Sequence, residues 1–346
     1  MCFRFRSIGG SAARPNFPTD VNQPNTAIVF PGQGSQRNGM ARDFYDSDSA
    51  AQQAFEEASE GCGLDLAGLC FEGDRRLGFT EFAQPALLTA EIAMTRVLQN
   101  RFGLRAMAFG GHSLGEYSAL VAAGVMRLGE AARVVRKRGR LMQEAVPVGI
   151  GGMAAVFVRG IDTAEVERCS EGTDVSVAND NSPEQVVVSG LSEQLDVFEK
   201  RLAEALAPKS YRVIPLKVSA PFHCPLMAAI EPAFAAVLHT TELVAVERAT
   251  TVTSNYTGGF HRDDGANVRE NLLRQIGARV RWRENMDALR GRCQRVIEIG
   301  PAPVLRGFFK AAGLAIKTVS DLPGAEKALG EASGAATTAP GPDPNV

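Results

Sequence analysis

The chain is poor in histidine and in closely spaced cysteine, and both scarcities limit its chemistry. Its 346 residues include only four histidines and six cysteines. No two cysteines have the short spacing typical of zinc or redox sites, so we expect no metal centre. Cysteines scattered through a chain of this size favour a reducing compartment, and we therefore expect the protein in the cytoplasm.

The sequence also lacks a long apolar run and any large excess of one charge. There are 37 basic and 39 acidic side chains, for a formal net charge of -2. This balance favours neither nucleic acid nor an anionic membrane as a partner. No apolar stretch reaches the roughly 20 residues that span a bilayer. We expect a monomeric globular protein with neither kind of partner.

The two ends of the chain differ in composition from the rest. Residues 1–25 carry Arg, Ser and Pro with a single acid, Asp20, and predict a disordered extension. An organelle-targeting leader is the alternative, because such leaders are Arg-rich and poor in acids. Residues 328–346 are a low-complexity stretch that cannot bury enough apolar surface to fold, which predicts a disordered tail.

Between these ends, strand-like and helix-like segments alternate. The apolar run at 26–30 leads into a glycine-rich loop, and the run at 105–111 leads into a helix. This alternation predicts an α/β fold with a parallel sheet. Residues 150–219 instead have the order β-α-β-β-α-β of a ferredoxin-like module. We therefore expect a large subdomain formed by 26–149 and 220–327, interrupted by a small one. The stretch "ATTVTSN" at 249–255 predicts a strand of the large subdomain.

A nucleophile motif lies in the stretch "GGHSLGEYSAL". It contains G-x-S-x-G, with Ser113 at its centre, between an apolar strand and a helix. This context is typical of a nucleophile elbow, in which the serine projects at the edge of the sheet. The backbone N–H of Leu114 is then placed to stabilise an oxyanion. The alternative is a structural serine in a glycine-rich turn.

A serine hydroxyl needs a base to become a good nucleophile, and His223 is the best candidate. It lies in a loop between a predicted strand at 213–219 and a predicted helix at 225–239, where ligand sites of α/β proteins collect. His112 adjoins Ser113, but neighbouring residues of an elbow diverge in direction. We expect His239 and His261 at the surface. No acid stands out as the residue that orients the base.

One cation lies on the apolar face of a predicted helix. In "RVVRKRGRLMQEAV", residues 133–146, Arg138 is four residues from both Val134 and Met142 and so shares their face. A guanidinium buried without a partner is very costly. We therefore expect an anionic or hydrogen-bonding group next to Arg138.

Six segments in a fixed order carry a family resemblance over residues 26–323. They are "VFPGQGSQ", "GHSLGEYSALVAAGV", "RKRGRLMQEAVP", "NDNSPEQVVVSG", "PFHCPLM" and "EIGPAPVL". Together they resemble the malonyl-CoA:acyl carrier protein transacylases of type II fatty acid synthesis and of discrete polyketide malonyltransferases. The resemblance implies an α/β-hydrolase-like subdomain with an inserted ferredoxin-like one. It also implies transfer of malonyl from malonyl-CoA to the phosphopantetheine thiol of an acyl carrier protein, by a ping-pong mechanism without a cofactor.

The resemblance assigns expected catalytic roles. Ser113 matches the nucleophile of the family and His223 its base. In the family a main-chain carbonyl orients that base, and Gln275 matches its position. This would explain the missing acid. The resemblance further implies an oxyanion hole formed by the backbone N–H groups of Gln33 and Leu114.

Substrate contacts are implied in the same way. Arg138 matches the arginine that grips the malonyl carboxylate through a two-pronged fork. The alternative is an internal ion pair of Arg138 with a buried Glu or Asp, for example Glu116. Residues that match the lining of the acyl pocket are Gln84, His112, Asn179 and Asn181.

The residues around the base depart in one position from the malonyl-selecting pattern of modular synthases. Phe222 is present before the base, whereas Cys224 replaces the usual serine after it. Phe222 is expected to fill the space of an α-methyl group, which discriminates by only about 1–3 kcal/mol.

Two other functions remain open at the level of sequence. The same serine and histidine could serve a proofreading hydrolase that releases acyl groups from carrier proteins. Arg138 favours malonyl transfer over that alternative. A catalytically inactive protein that only binds carriers is disfavoured by the presence of all three residues. Because no carrier segment is visible in the chain, we expect it to act in trans on an acidic carrier protein.

Overall fold

The computed structural model describes residues 25–147 and 149–330. The strands are β1 Thr26–Phe30, β2 Ala108–Gly111, β3 Gly151–Val158, β4 Val175–Ser182, β5 Gln185–Leu191, β6 Tyr211–Pro215, β7 Arg295–Ile299 and β8 Lys317–Val319. The helices are α1 Arg42–Ser47, α2 Ser49–Cys62, α3 Leu66–Phe71, α4 Thr80–Phe102, α5 Gly115–Ala122, α6 Leu128–Glu144, α7 Thr163–Ser170, α8 Ser192–Leu206, α9 Glu231–His239, α10 Gly265–Arg274, α11 Trp282–Arg290, α12 Leu305–Ala311 and α13 Leu322–Leu329. Short 3-10 helices span Arg75–Gly78, Pro225–Ile230 and Val246–Thr251.

A parallel sheet organises the first and last parts of the chain. Its strand order is β2-β1-β7-β8, and each neighbouring pair is parallel. Every residue of β1 and β2 is buried, as expected for strands covered by helices on both faces. The loops after β1 and β2 leave the same edge of the sheet, because parallel strands end together. This edge carries the candidate nucleophile.

A separate antiparallel sheet occupies the middle of the chain, in the order β4-β5-β3-β6. Alternate residues of β3 face opposite sides, as the two-residue period of a strand requires. Ala154, Val156 and Val158 pack under α7 and α8, whereas Met153 and Ala155 join the core of the parallel-sheet region. The predicted α/β fold class is confirmed, with a parallel sheet and a distinct antiparallel one.

Helix α6 packs closely against α4 and presents the predicted apolar face inward. Val134, Arg138 and Met142 are all buried, as the helical spacing predicts. At Gly139 the two helices nearly touch: a Cβ there would lie 2.5 Å from the carbonyl oxygen of Thr80, at the start of α4. This contact fixes how near the guanidinium lies to α4.

Several predicted elements need correction. Residues 249–255 form no regular strand: a 3-10 helix ends at Thr251, followed only by isolated bridges. The strand predicted at 213–219 ends at Pro215, and the helix predicted at 225–239 begins as a 3-10 helix. Helix α13 continues to Leu329, two residues into the predicted tail. Residues 1–24 and 331–346 of the predicted extensions lie outside the described residues.

Two further findings concern expectations from composition. No helix in the described ranges combines the length and apolarity that a membrane crossing would need. Cys62, Cys70, Cys169, Cys224 and Cys293 are all free and buried. The cytoplasmic location expected from the cysteines stays a prediction.

Candidate active site

Ser113 lies in the sharp turn between β2 and α5. Its φ of 53° is in the left-handed region that residues with a side chain rarely adopt, as is typical of a strained functional turn. The Asn255 side chain holds the turn from behind. Its Oδ1 accepts a hydrogen bond from the Ser113 N–H at 2.6 Å, and its Nδ2 donates to the Gly111 carbonyl at 2.8 Å. The serine hydroxyl is thereby presented at the sheet edge.

His223 contacts the serine hydroxyl directly, with Nε2 and Oγ 2.7 Å apart. Its other ring nitrogen, Nδ1, donates to the main-chain carbonyl of Gln275 at 2.8 Å. A neutral imidazole that donates through Nδ1 must accept through Nε2, which suits a base for the serine proton. The backbone of His223 is also in the left-handed region, with φ 57°. It lies eight residues beyond the end of β6, further from a strand than predicted.

Burial keeps the candidate base neutral. It lowers the pKa of His223 to about 3, and the nearby positive charge of Arg138 acts in the same direction. The hydrogen bond to Gln275 opposes this effect by favouring the protonated ring. At neutral pH the imidazole therefore remains available to accept a proton.

Arg138 is only 1% exposed and points at the serine. One terminal nitrogen donates to Gln84 Oε1 at 3.0 Å. The other donates to Gln275 Oε1 at 2.8 Å and to Ser113 Oγ at 3.1 Å. Its Nε has no hydrogen-bond partner within the described residues. The guanidinium is thus held by neutral groups, with hydrogen-bonding capacity left over beside the nucleophile.

The ion pair considered for Arg138 and Glu116 is wrong. Glu116 Oε1 pairs with His261 Nε2 at 2.9 Å, and Glu116 Oε2 accepts from the Asn255 N–H and from Gln275 Nε2. The side-chain amide of Gln275 therefore lies between the two charged groups. Its Nε2 donates to the Glu116 carboxylate, and its Oε1 accepts from the Arg138 guanidinium. Burial lowers the pKa of Arg138, and the negative charge of Glu116 partly offsets that effect.

The surface position predicted for His261 is also wrong. Its side chain is buried between Glu116 and Asn271, whose Nδ2 lies 3.0 Å from His261 Nδ1. A histidine in a polar stretch of sequence is expected at the surface, but here its polarity is satisfied internally. No local pattern in the sequence indicates this contact, because 145 residues separate His261 from Glu116.

The two backbone donors predicted for an oxyanion hole lie on adjacent segments. Leu114 follows the nucleophile, and Gln33 lies in the loop after β1. In the part of the chain that the structure describes, neither N–H donates to another backbone or side-chain group. The loop after β1 contacts the turn around Ser113 directly, because a Cβ at Gly32 would overlap the carbonyl oxygen of His112. Both donors are therefore available near Ser113.

The residues predicted to line a pocket differ in their contacts with the residues around the serine. Gln84 contacts Arg138 directly. His112 Nε2 pairs with Asn181 Oδ1 at 2.8 Å, and burial lowers the pKa of His112 to about 4. Asn179 is buried, but no hydrogen bond joins its side chain to these residues within the described ranges. Phe222 is 8% exposed and immediately precedes the base.

The cysteine that replaces the usual serine after the base is buried and bonded. Cys224 Sγ lies 3.0 Å from the carbonyl oxygen of Pro221, and burial raises the pKa of this thiol. A neutral thiol donating to a carbonyl is not a competing nucleophile. The described residues also contain no cluster of three side chains suited to a metal ion.

Comparison with known proteins identifies the class to which this fold belongs. The family model for the acyl transferase domain matches residues 27–322. The malonyl CoA-acyl carrier protein transacylase of Salmonella typhimurium is 39% identical over 290 residues, covering 82% of this chain and 91% of that protein. The protein of the same name from Bacillus subtilis strain 168 is 39% identical over 301 residues, which cover 85% of this chain and 92% of that protein.

Solved structures agree with the sequence relatives. A malonyl-transacylase in complex with the acyl-carrier protein of a type II PKS superposes with a TM-score of 0.81 at 37% identity. The match covers 89% of this chain and 99% of that one. The fold and the domain match define an acyltransferase. Within that class, the chain belongs to the family of malonyl CoA-acyl carrier protein transacylases.

Proposed function

We propose that this protein transfers malonyl from malonyl-CoA to the phosphopantetheine thiol of an acyl carrier protein, through a malonyl ester on Ser113. The observation that carries the proposal is the buried Arg138 beside the serine. Its terminal nitrogens contact only neutral oxygens in the described structure, and its Nε contacts none. A carboxylate in this position would relieve the cost of the buried charge through bidentate hydrogen bonds. Malonyl carries such a carboxylate, whereas acetyl and longer neutral acyl groups do not.

In the first half-reaction, Ser113 Oγ attacks the thioester carbon of malonyl-CoA. His223 Nε2 accepts the hydroxyl proton, and its 2.7 Å contact with Oγ supports this role. The carbonyl oxygen becomes an oxyanion that the N–H groups of Gln33 and Leu114 stabilise. The carbon–sulfur bond then breaks, and CoA leaves as a thiol with the proton from His223.

The second half-reaction reverses these steps with a new thiol. The carrier thiol gives its proton to His223 Nε2 and attacks the ester carbon. The bond to Ser113 Oγ breaks, and the serine regains the proton from the histidine. Throughout, the Gln275 carbonyl orients the imidazole through Nδ1. No step requires a cofactor.

We assign the remaining predicted residues to the acyl pocket. Gln84 sets the position of the guanidinium, and its direct hydrogen bond to Arg138 supports this role. His112, paired with Asn181, is uncharged at neutral pH and therefore presents a neutral wall to the substrate. We place Asn179 and Phe222 in the same wall, with Phe222 limiting the space beside the α-carbon. The antiparallel module at 150–219 would thus form one side of the pocket.

Mass spectrometry of the intact protein tests the proposal. The protein is mixed with malonyl-CoA, acetyl-CoA or butyryl-CoA, and then with a holo carrier protein of a type II system. We expect one malonyl group on the wild type, none on Ser113→Ala, and loss of the label to the carrier. Ser170→Ala, which changes a serine of α7 outside the site, serves as the matched control and should load normally.

The same experiment separates the alternatives. Malonyl loading that persists in Ser113→Ala would move the nucleophile elsewhere. Preferential loading of butyryl, with release to water instead of the carrier, would support the hydrolase instead. The comparisons favour transfer, because the named relatives are transacylases.

A further inference from the structure

Glu91 is a buried acid that the proposed reaction does not use. It lies on α4, its side chain is 0% exposed, and it forms no salt bridge in the described part of the chain. Its Oε1 accepts a hydrogen bond from the Gly32 N–H at 3.3 Å, and its Oε2 pairs with Ser118 Oγ at 2.5 Å. A buried carboxyl is costly to keep, so its two contacts need an explanation.

Both contacts of Glu91 lead to the segments that carry the proposed oxyanion donors. Gly32 immediately precedes Gln33 in the loop after β1. Ser118 lies on α5, whose first turn follows Leu114. The carboxyl therefore bridges the two segments.

The loop after β1, which contains Gly32, packs tightly against the turn that contains Ser113. Gly32 has a φ of 72°, and a Cβ there would overlap the His112 carbonyl oxygen. A small displacement of the loop would therefore move the Gln33 N–H relative to the Leu114 N–H. Because oxyanion stabilisation depends on donors fixed before the reaction, such a displacement would slow the chemical step.

We propose that Glu91 is a positioning residue that fixes the spacing of the two oxyanion donors by bridging the Gly32 N–H and the Ser118 hydroxyl. This inference rests on the proposed function, because it assumes that Gln33 and Leu114 stabilise the oxyanion. Glu91 does not itself contact the reacting atoms.

The protonation of Glu91 agrees with a bridge of neutral groups. Burial raises the pKa of its carboxyl to about 8, against the opposing effects of the Ser118 and Gly32 hydrogen bonds, and the charge of Glu298 adds to the increase. At neutral pH the carboxyl mostly keeps its proton. Its Oε1 accepts from the Gly32 N–H, and its Oε2 accepts from the Ser118 hydroxyl. A glutamine has the same shape: its side-chain oxygen accepts from the Gly32 N–H, and its amide N–H₂ donates to the Ser118 hydroxyl oxygen, so the bridge is kept with one bond reversed. A methionine has a similar volume but no group that can form either hydrogen bond.

Single-turnover acylation of the full chain tests the inference. Formation of the acyl-enzyme is followed by rapid quench and mass spectrometry for the wild type, Glu91→Gln, Glu91→Met and Thr95→Val. Thr95 is the matched control: it is buried one turn further along α4, and its hydroxyl bonds to the Glu91 main-chain carbonyl. We expect Glu91→Met to slow acylation by up to about 100-fold with little change in KM. Glu91→Gln should restore most of that rate, and Thr95→Val should match the wild type.

Two acyl donors distinguish positioning of the oxyanion hole from a general disturbance of α4. The oxyanion is common to all thioesters, so Glu91→Met should slow malonyl and acetyl loading by the same factor. A shift of α4 acting through Gln84 and Arg138 would instead slow malonyl loading more. Thermal unfolding of each variant shows whether it is folded at the assay temperature.

Three results would overturn the inference. They are a folded Glu91→Met that acylates at the wild-type rate, a loss confined to malonyl, and an equal loss in Thr95→Val. A wild type that loads acetyl but not malonyl would contradict the proposed function instead. The acetyl rates of the variants would still decide the role of Glu91.

Discussion

The interiors around the two sheets differ in what they bury. The region of the parallel sheet encloses ionisable side chains that are each at most 4% exposed: Glu91, Glu116, Arg138, His223, His261 and Glu298. The core between the antiparallel sheet and its helices contains aliphatic side chains, Phe198 and Cys169. The members of this cluster are apolar, so shape governs how they pack against one another.

The difference shows how buried charge is tolerated next to a reaction centre. Arg138 and Glu116 are kept apart by the Gln275 amide, which satisfies both. Neutral amides from Asn255 and Asn285 complete the arrangement behind the serine. A direct pair of Arg138 and Glu116 would have neutralised the cation and left nothing for a substrate. Under the proposed function, the polar interior serves chemistry and the apolar one serves stability.

Removal of the base should have the largest effect on acylation. We expect His223→Ala to slow formation of the acyl-enzyme by about 10² to 10⁴, the usual scale of general acid–base catalysis. Stopped acylation time courses measure the rate, and His239→Ala, which changes an exposed histidine, is the control. A normal rate in His223→Ala would mean that another group accepts the serine proton.

Removal of the guanidinium should be nearly as severe, but only for malonyl. Truncating one partner of a buried charge pair costs about 2–5 kcal/mol, which corresponds to about 30-fold to several thousand-fold. We therefore expect Arg138→Ala to lower kcat/KM for malonyl-CoA by this range and to change acetyl-CoA far less. Arg140→Ala, which changes an exposed arginine of the same helix, should leave the ratio unaltered. Equal losses for both donors would make Arg138 structural.

Acidification should have a small effect, because burial keeps His223 neutral. The pKa of His223 is lowered to about 3, so the acid limb of kcat/KM shifts below the ordinary histidine value of about 6.5. We expect the acylation rate at pH 5.5 to stay within about twofold of that at pH 7.5. An ordinary histidine would be only about one tenth neutral at pH 5.5. A tenfold fall in a protein that circular dichroism shows to be folded would contradict this expectation.

A cavity in the apolar interior should affect stability and leave catalysis almost unchanged. Leu202 is fully buried on α8, within the core of the antiparallel sheet. We expect Leu202→Ala to lower the free energy of unfolding by about 2–5 kcal/mol, measured by urea denaturation. Acylation at a temperature where the variant is folded should change by less than about twofold. A marked loss of malonyl preference would show that this core also positions the pocket.

Local patterns predicted the parts of the site that lie within single elements. Ser113 follows from its motif after a strand, and the inward orientation of Arg138 follows from helical spacing. The role of the Gln275 carbonyl came only from the family resemblance. Neither the local patterns nor the family resemblance indicated the hydrogen bond between Asn255 and Ser113, which are 142 residues apart, or the burial of His261. These contacts form between distant segments, and each residue type is equally common in exposed loops.

The strand predicted at 249–255 failed for a related reason. Its threonines and valine fit a strand by composition, yet a 3-10 helix covers the segment up to Thr251. Only Val252 and Thr253 then form bridges to the neighbouring backbone. Asn255 can bond to Ser113 because the chain turns at this point instead of continuing along the sheet.

If Arg138 selects the substrate as proposed, the contact at Gly139 makes substrate choice depend on a residue that has no side chain. A methyl group there would wedge α6 away from α4, because the carbonyl oxygen of Thr80 already occupies the space. Arg138, one residue earlier, would move away with its helix, and its hydrogen bond to Gln84 would break. Preference for a dicarboxylic acyl group could therefore drift in evolution through helix spacing, while every residue that touches the substrate stays the same.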